Sequence, residues 1–356
     1  MNKELSNFAA RLRGLISNRQ STIGNRQFSE LALELFALQF KHNAAYQKIC
    51  EARGVTPEVI EHWTKIPTVP TVAFKELELS CLASQEWSVV FHSSGTTEQN
   101  PSRHYHNTES LAVYEASLWS WFAQHVVPEF GILILTPPPV QAPHSSLVHM
   151  FETIRRRLNA PESAFVGGIA SDGSWVLDFD AVLMALKANS KFEIQNPKLI
   201  LGTAFSFVHL LDFLGEHDLR FELPSGSRVM ETGGYKNRSR TMPKAELHAL
   251  ITERLGIEPE NIICEYGMSE LSSQAYDEEV RRFHFPPWAR AQIISPETSR
   301  EVADGETGLV RVFDLANVYS VMAVQTADLA VRCGDGFELM GRARVTEPRG
   351  CSLMSA

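Results

Sequence analysis

A polar turn rich in hydroxyl groups follows the apolar stretch 87–91, and it is the first place where this sequence can do chemistry. Four hydroxyls and one glycine can surround an anion, because hydroxyls donate hydrogen bonds and glycine lets backbone N–H groups converge. A phosphate-binding loop and an ordinary turn before a helix both fit this composition. The turn consists of Ser93, Ser94, Gly95, Thr96 and Thr97.

Two basic side chains, Arg103 and His104, come shortly after this turn. Either can add positive charge to a bound phosphate, and either can equally be a surface residue. For His104 the surface interpretation is favoured.

A second polar turn, EYGMSE at 265–270, follows another apolar stretch. The ring of Tyr266 beside Gly267 can stack on a flat base. The carboxylate of Glu270 can hold Mg²⁺ against phosphates, since Mg²⁺ takes one or two carboxylates together with phosphate oxygens. Taken alone, a Tyr-Gly pair is more often a plain turn.

Three further turns carry candidate ligand-binding residues. Gly233 and Gly234 in ETGG allow a close approach of the backbone to a ligand, and Asp328 in TADL can accept hydrogen bonds from ribose hydroxyls. Arg342 lies in the charged turn GRAR. Each motif alone is more often a tight or solvated turn.

The elements that must position these turns alternate between apolar runs and amphipathic stretches, which predicts an α/β fold. Ligands of such folds bind at the carboxyl ends of strands, where these turns fall. Leucines at helical spacing predict helices near the N-terminus, and short alternating stretches after residue 288 predict a β-rich end. The predicted regions are a helical region at 1–65, an α/β core at 66–287 and a β-rich subdomain with a tail at 288–356.

Composition excludes several classes of protein. Apolar residues make up 44% of the 356 and charged residues 21%, as in soluble globular proteins. The net charge of -9 argues against a broad nucleic-acid surface. No apolar stretch is long enough for a membrane span. The start lacks a secretion signal, and the five cysteines lack metal-ligand spacing, which together predict a reduced, cytoplasmic protein.

The order and spacing of the five turns resemble the acyl-adenylate-forming superfamily of acyl-CoA synthetases, luciferases and nonribosomal adenylation domains, over roughly residues 65–350. This resemblance implies ATP and Mg²⁺ as cofactors and a large adenylate-forming domain. It implies that Ser93 to Thr97 hold the phosphates, that Gly233, Gly234 and Tyr266 contact the adenine, that Glu270 binds Mg²⁺ and that Asp328 holds the ribose. It also implies that Arg342 is at the position of the hinge to a C-terminal domain and that His149 lies beside the acyl carboxylate.

Two departures narrow the resemblance. The phosphate loop continues as EQNPSRH, and the chain ends shortly after Arg342, so the usual C-terminal lid domain with its lysine is not expected. Together with ETGGYK, EYGMSE and the terminal GRARVTEPRGCSL, these features resemble the LuxE-like acyl-protein synthetases of bacterial bioluminescence. That family adenylates a fatty acid and then acylates a cysteine near its own C-terminus.

The matching acceptor position in this chain is Cys351. Arg349 beside it can favour the thiolate, which is the nucleophilic form. Lys236 can supply the positive charge of the missing lysine, although it can also be a solvated loop residue. The resemblance further implies a partner that takes the acyl group onward, such as an acyl reductase or another acyl-accepting protein.

Two alternatives remain at this point. One is an acyl- or aryl-CoA ligase that passes the acyl group to coenzyme A or a carrier thiol. The other is a nucleotide-binding subunit without catalysis, which would bind ATP but not exchange pyrophosphate. The sequence indicates a carboxylic acid substrate, expected to be a fatty acid.

Overall fold

A computed structural model describes most of the chain, and the structural statements below concern those residues only. The described ranges are 2–18, 23–93, 100–125, 131–160, 163–187, 197–233, 242–278 and 282–343.

Helices and strands alternate through the middle of the chain, as the sequence predicts. The helices are α1 Lys3–Ser17, α2 Asn25–His42, α3 Ala44–Ala52, α4 Ala73–Glu76, α5 Thr108–His125, α6 Ser146–Leu158, α7 Phe179–Lys187, α8 Ala204–Glu216 and α9 Lys244–Leu255. The strands are β1 Val69–Pro70, β2 Val89–His92, β3 Arg103–His106, β4 Gly131–Ile134, β5 Ala164–Phe165, β6 Gly167–Ile169, β7 Trp175–Leu177, β8 Lys198–Thr203, β9 Arg228–Thr232, β10 Ile262–Tyr266, β11 Ala275–Glu278, β12 Arg282–His284, β13 Ala289–Ile294, β14 Thr307–Asp314, β15 Ala323–Cys333 and β16 Gly336–Arg342.

A sheet that is twelve-stranded in the described ranges runs through the molecule in the order β13-β14-β15-β16-β12-β11-β10-β9-β8-β4-β5, and β1 pairs with β15. Strands β5, β4, β8, β9 and β10 are parallel, and from β11 onward the pairing is antiparallel. The change occurs at β10, which pairs in parallel with β9 and antiparallel with β11. The loop that follows β10 therefore lies where the two halves of the sheet meet.

In the parallel half, successive side chains along each strand point to opposite faces of the sheet. Both faces are apolar there, and helices cover both of them. Ile200 of β8 faces a cluster built with α7, α8 and α9, while its neighbours Leu199 and Leu201 face a cluster built with α5 and α6. Every residue of β8 is buried. The α/β class predicted from the sequence is confirmed.

The N-terminal helices pack against the C-terminal strands. Leu35 and Tyr46 share a core with Phe313, Val324 and other residues of the antiparallel half. The Gln39 amide reinforces this contact by donating to the carbonyls of Asn317 at 2.7 Å and Val318 at 3.2 Å, and its oxygen accepts from the Met322 N–H at 3.0 Å. These regions therefore form one packed unit.

The boundaries at residues 65 and 287 stay a prediction. Strands from either side of residue 287 belong to one sheet, because Phe283 of β12 pairs with Phe337 of β16. Strands β3, β11 and β12 were not expected, since their polar sequences do not show the apolar alternation of a half-buried strand. No helix within the described ranges is long and apolar enough to cross a membrane.

Candidate active site

The carboxyl ends of β9 and β10 lie side by side, because the two strands are parallel neighbours in the sheet. Thr232 is in register with Glu265, and its hydroxyl donates to the Glu265 carboxylate. Gly233 has a φ of 75°, a left-handed conformation that favours glycine. A side chain at Gly267 would collide with the carboxylate of Glu265. Both glycines therefore keep the backbone at this edge in a shape that other residues would disturb.

Tyr266 lies inside a cluster of aromatic rings. Its ring centroid is 5.5 Å from that of Phe337, 6.1 Å from Phe283 and 6.2 Å from Phe285, in edge-to-face arrangements. Its hydroxyl donates to Asp328 Oδ2 at 2.9 Å. Burial raises the pKa of Tyr266 well above its ordinary value, and the nearby Asp328 carboxylate adds to this. The ring is therefore fixed in place, and its contact with an adenine stays a prediction.

Asp328 joins Tyr266 to the last described strand. Asp328 of β15 is in register with Arg342 of β16, whose Nε donates to Asp328 Oδ1 at 3.2 Å. The backbone N–H of Asp328 donates to Thr326 Oγ1 at 3.1 Å. The side chain of Arg342 is 77% exposed, whereas that of Asp328 is 14% exposed. The structure thus brings together Tyr266, Asp328 and Arg342, which are far apart in the sequence.

Glu270 lies in the loop after β10 and is only 4% exposed. Its carboxylate accepts a hydrogen bond from Ser269 Oγ at 2.9 Å. No lysine or arginine forms an ion pair with it in the part of the chain that the structure describes. A buried carboxylate is costly without a compensating charge, and a divalent cation can supply that charge. Glu270 therefore fits the role of a Mg²⁺ ligand.

Asp314, at the end of β14, holds this loop from below. It accepts from the Ser272 N–H at 2.8 Å, from Ser273 Oγ at 2.7 Å and from the Ala316 N–H at 3.0 Å. Burial raises the pKa of Asp314 to about 6 despite these hydrogen bonds. The backbone after Glu270 is thereby fixed to the antiparallel half of the sheet.

Asn317 and Ser117 complete this buried network. Asn317 Nδ2 donates to the Glu270 carbonyl at 2.8 Å, and its oxygen accepts from Ser272 Oγ at 2.6 Å. Ser117 of α5 lies 2.9 Å from Ser273 through their hydroxyl oxygens and accepts from Trp288 Nε1 at 2.7 Å. The sequence analysis missed Ser117, Asp314 and Asn317. Polar residues just past a buried strand, as in DLAN at 314–317, were the available signal.

The surface interpretation of His104 is wrong. His104 is 3% exposed, and its Nδ1 donates to the Ser269 carbonyl at 2.8 Å. Burial lowers its pKa to about 4, so the ring is neutral near pH 7 and does not add positive charge to a phosphate. Instead it connects β3 to the loop that carries Glu270.

Strands β2 and β3 pair as an antiparallel hairpin, and Ser93 and Arg103 lie at its loop end. The Ser93 N–H donates to the Ser102 carbonyl at 3.1 Å, and Ser93 Oγ accepts from the Ser102 N–H at 2.9 Å. Arg103 Nη2 donates to the Lys75 carbonyl at 3.2 Å, which ties the hairpin to α4. Through His104, this hairpin contacts the loop that carries Glu270.

His149 of α6 lies against the same hairpin. Its ring centroid is 5.3 Å from that of Phe91 in β2 and 5.7 Å from that of Tyr114. His149 Nε2 is 3.1 Å from Glu115 Oε1, which also accepts from Arg156 at 3.0 Å. Both contacts lower the pKa of the Glu115 carboxyl, and the contact with His149 has the larger effect. A role beside the acyl carboxylate stays a prediction.

Seven predicted site residues lie outside the described ranges. They are Ser94, Gly95, Thr96, Thr97, Gly234, Lys236 and Cys351.

Comparison with solved structures assigns the fold to the adenylate-forming ligases. A 2-hydroxyisobutyryl-CoA ligase in complex with 2-HIB-AMP superposes with a TM-score of 0.69 at 14% identity, over 89% of this chain and 67% of that chain. ATP-bound MatB from Rhodopseudomonas palustris superposes with a TM-score of 0.50 at 17% identity, over 73% of this chain and 49% of that chain. At these identities the likeness establishes the fold alone.

Sequence comparison identifies one particular family among the proteins with this fold. The model of the family described as acyl-protein synthetase, LuxE, matches residues 10–356, and the chain therefore belongs to this family. Two relatives are named long-chain-fatty-acid–luciferin-component ligase. The one from Aliivibrio fischeri is 22% identical over 348 residues, which cover 92% of this chain and 87% of the relative. The one from Vibrio harveyi is 24% identical over 338 residues, which cover 91% and 86%.

The predicted resemblance to LuxE-like acyl-protein synthetases is thereby confirmed. As a member of this family, the protein is an AMP-forming acid ligase.

Proposed function

We propose that this protein activates a long-chain fatty acid with ATP and then transfers the acyl group to its own Cys351. In the first step a carboxylate oxygen of the acid attacks the α-phosphorus of ATP, and pyrophosphate leaves. In the second step the Cys351 thiolate attacks the acyl carbonyl carbon, and AMP leaves with the electrons of the broken acyl–phosphate bond. A thioester is formed, and the thiol proton goes to solvent.

The observation that carries the first step is the meeting of four predicted residues around the end of β10. Tyr266, Asp328 and Arg342 are joined by hydrogen bonds, and the buried Glu270 lies in the loop that follows Tyr266. We assign the ribose to Asp328 and the adenine to Gly233, Gly234 and Tyr266. Ring and carboxylate are already positioned, so little freedom is lost when a nucleotide binds.

The phosphate end of the site is assigned to the β2–β3 hairpin and the Glu270 loop. Ser93 to Thr97 and Arg103 would contact the phosphates, and Glu270 would hold Mg²⁺. The ion would neutralise charge that develops on the phosphates. His104 holds these two segments together through the Ser269 carbonyl.

The second step rests on the C-terminal sequence. Cys351 lies between Gly350 and Ser352 and follows Arg349, so it combines little steric bulk with a neighbouring positive charge. Lys236 is the residue we assign to the negative charge of the leaving phosphates. An acyl-accepting protein, such as a reductase, would then remove the acyl group. The cytoplasmic location stays a prediction from the cysteine pattern.

The test is an ATP–pyrophosphate exchange assay with a panel of fatty and aryl acids, run on the wild type and on Cys351→Ala. Mass spectrometry of the C-terminal peptide follows the acyl group in parallel. We expect exchange in both proteins and an acyl mass shift only in the wild type. Cys333→Ala is the matched control and should keep both exchange and acylation, because Cys333 ends β15 and has no assigned part in either step.

Two outcomes would redirect the assignment. Exchange without acylation in either protein would contradict the role of Cys351. If none of the acids supports exchange although the protein binds nucleotide, the result would favour a subunit without catalysis.

A second candidate function, acyl transfer to coenzyme A, is favoured by the similarity to the 2-hydroxyisobutyryl-CoA ligase fold. Adding coenzyme A to the same assay separates the two. Product acyl-CoA formed equally by the wild type and by Cys351→Ala would support this second function.

A further inference from the structure

Behind the turns that we assign to adenine lies a polar cluster made by three elements. Glu231 of β9 and Cys264 of β10 are in register on neighbouring strands, and His248 of α9 lies against both. His248 Nε2 is 3.7 Å from Cys264 Sγ and 3.6 Å from Glu231 Oε1. All three candidate ligand atoms lie within 4.8 Å of one another. The proposed acid ligation uses none of these side chains.

The two distances from His248 Nε2 match those between ligands of a four-coordinate metal. In a tetrahedron, two ligand atoms are separated by about 1.6 times the metal–ligand bond length. Bonds of about 2.0–2.3 Å to nitrogen, oxygen and sulfur give separations of roughly 3.3–3.8 Å. Both distances from His248 Nε2 fall in this range. One ion can therefore reach the three atoms with small movements of the side chains.

The donor types select the metal. A thiolate, an imidazole and a carboxylate are a mixed set that suits Zn²⁺, which accepts sulfur, nitrogen and oxygen, and does not suit Mg²⁺ or Ca²⁺, which prefer oxygen. Glu231 and Cys264 are buried, whereas the side chain of His248 is 21% exposed. His248 therefore leaves a route to solvent for an ion and for a water molecule as fourth ligand.

We propose that Glu231, His248 and Cys264 form a Zn²⁺ site that joins β9, β10 and α9. Two of its ligands directly precede the turns at Thr232–Gly233 and Glu265–Gly267. An ion at this site would fix the two turns relative to each other without touching the nucleotide. The site is separate from the proposed Mg²⁺ position at Glu270.

The positive charge of Lys244 lies close to the proposed site and competes with a metal ion there. Its Nζ is 3.2 Å from Asp277 Oδ2, and Asp277 Oδ1 accepts from the Cys264 N–H at 2.6 Å. The Lys244 charge also acts on the Cys264 thiol and on Glu231, and it therefore opposes a cation bound between them. Burial, and then the Glu231 charge, raise the pKa of the Cys264 thiol.

The first experiment uses the full chain, freed of affinity tags and stripped with a chelator. Zn²⁺ is titrated in competition with a chromophoric chelator of micromolar affinity. We expect one tightly bound ion per chain in the wild type. Cys264→Ser and His248→Gln should each weaken it at least about tenfold, the lower end of the loss seen when residues that support metal ligands are changed. Lys244→Met should strengthen binding, because it removes the competing charge.

The matched controls are Cys333→Ser and His217→Gln. Both remove the same side-chain types outside the cluster, and the side chain of His217 donates from Nδ1 to the Phe213 carbonyl of the preceding helix. They should bind Zn²⁺ as the wild type does. Equal binding by Cys264→Ser, His248→Gln and the wild type would overturn the proposal, as would a wild type that takes no Zn²⁺ from the chelator.

Co²⁺ gives a readout that does not depend on the variants folding well. In the wild type, Co²⁺ should produce a thiolate-to-cobalt charge-transfer band together with the visible bands of a tetrahedral site. A Co²⁺ complex with only the weak bands of six oxygen ligands would contradict the assignment of Cys264.

Discussion

The loop around Glu270 and the corner formed by Tyr266, Asp328 and Arg342 both follow β10, yet they are built differently. The loop is buried and is held by hydrogen bonds from β3, α5 and the end of β14. The corner depends on two side-chain hydrogen bonds, one of them from an exposed arginine. The phosphate and metal end is therefore held on all its elements, whereas at the ribose end Tyr266 and Asp328 are positioned and only the exposed Arg342 side chain can adjust as the nucleotide enters and AMP leaves.

The largest expected loss of activity comes from a substitution in the buried Glu270 loop. Glu270→Gln removes the carboxylate that we assign to Mg²⁺, and we expect ATP–pyrophosphate exchange to fall about 100- to 1,000-fold, the range typical for losing one electrostatic contact to a transition state. Glu258→Gln, an exposed glutamate at a turn, is the control and should exchange as the wild type does. Near-normal exchange by Glu270→Gln would show that metal binding lies elsewhere.

The next effect concerns His104 and pH. The folded pKa is about 4 against an ordinary 6.5, so the folded state favours the neutral ring. Its contribution to stability is complete above pH 6.5 and is lost as pH falls toward 4. The pKa difference between the unfolded and folded states corresponds to about 3 kcal/mol in the free energy of unfolding.

His104→Gln replaces the imidazole N–H donor with an amide N–H donor, and the glutamine side chain does not titrate. Urea unfolding between pH 4 and 7 should therefore show a shallower acid loss in this variant than in the wild type. Asp314, whose raised pKa gives stability that falls as pH rises from about 4 to 6, is present in both proteins and cancels in the comparison. Parallel curves for the two proteins would mean that His104 is protonated in the fold.

Asp314→Asn tests the hydrogen bonds beneath the loop. The new NH₂ group would face N–H and O–H donors, so we expect the free energy of unfolding to fall by about 2 kcal/mol. Asp335→Asn is the control, because the side chain of Asp335 is 92% exposed, and it should change stability by less than about 0.5 kcal/mol. Urea denaturation measures both. Equal stability of the two variants would argue against a rigid loop.

Tyr266→Phe should have the smallest effect, about 1 kcal/mol in ATP binding, because it removes one hydrogen bond to Asp328 and leaves the ring in place. We expect KM for ATP to rise a few-fold with kcat unchanged. A double-mutant cycle with Asp328→Asn measures the coupling. A large loss of kcat would show that the corner is as preorganised as the Glu270 loop.

Local patterns predicted the strand ends well, because a polar turn after an apolar stretch is visible in a few consecutive residues. Tyr266, Glu270 and Asp328 were proposed as site residues in this way. Ser117, Asp314 and Asn317 were missed, since they support the site from elements that are distant in sequence. The cluster of Glu231, His248 and Cys264 has no ligand spacing for the same reason.

His104 was misjudged because β3 is polar yet covered. Three consecutive residues, His104 to His106, are buried, so the strand lacks the alternation that marks one solvent-facing side.

The pairing of β1 with β15 has a consequence for synthesis of the chain. Val69 lies opposite Val324, and the core around Leu35 and Tyr46 needs Phe313 and Phe337. The N-terminal helices leave the ribosome first, but most of their apolar faces find partners only when the last strands appear. Such long-range closure slows folding and leaves apolar surface exposed meanwhile. Holding the nascent chain until its C-terminal strands emerge is therefore a task for chaperones.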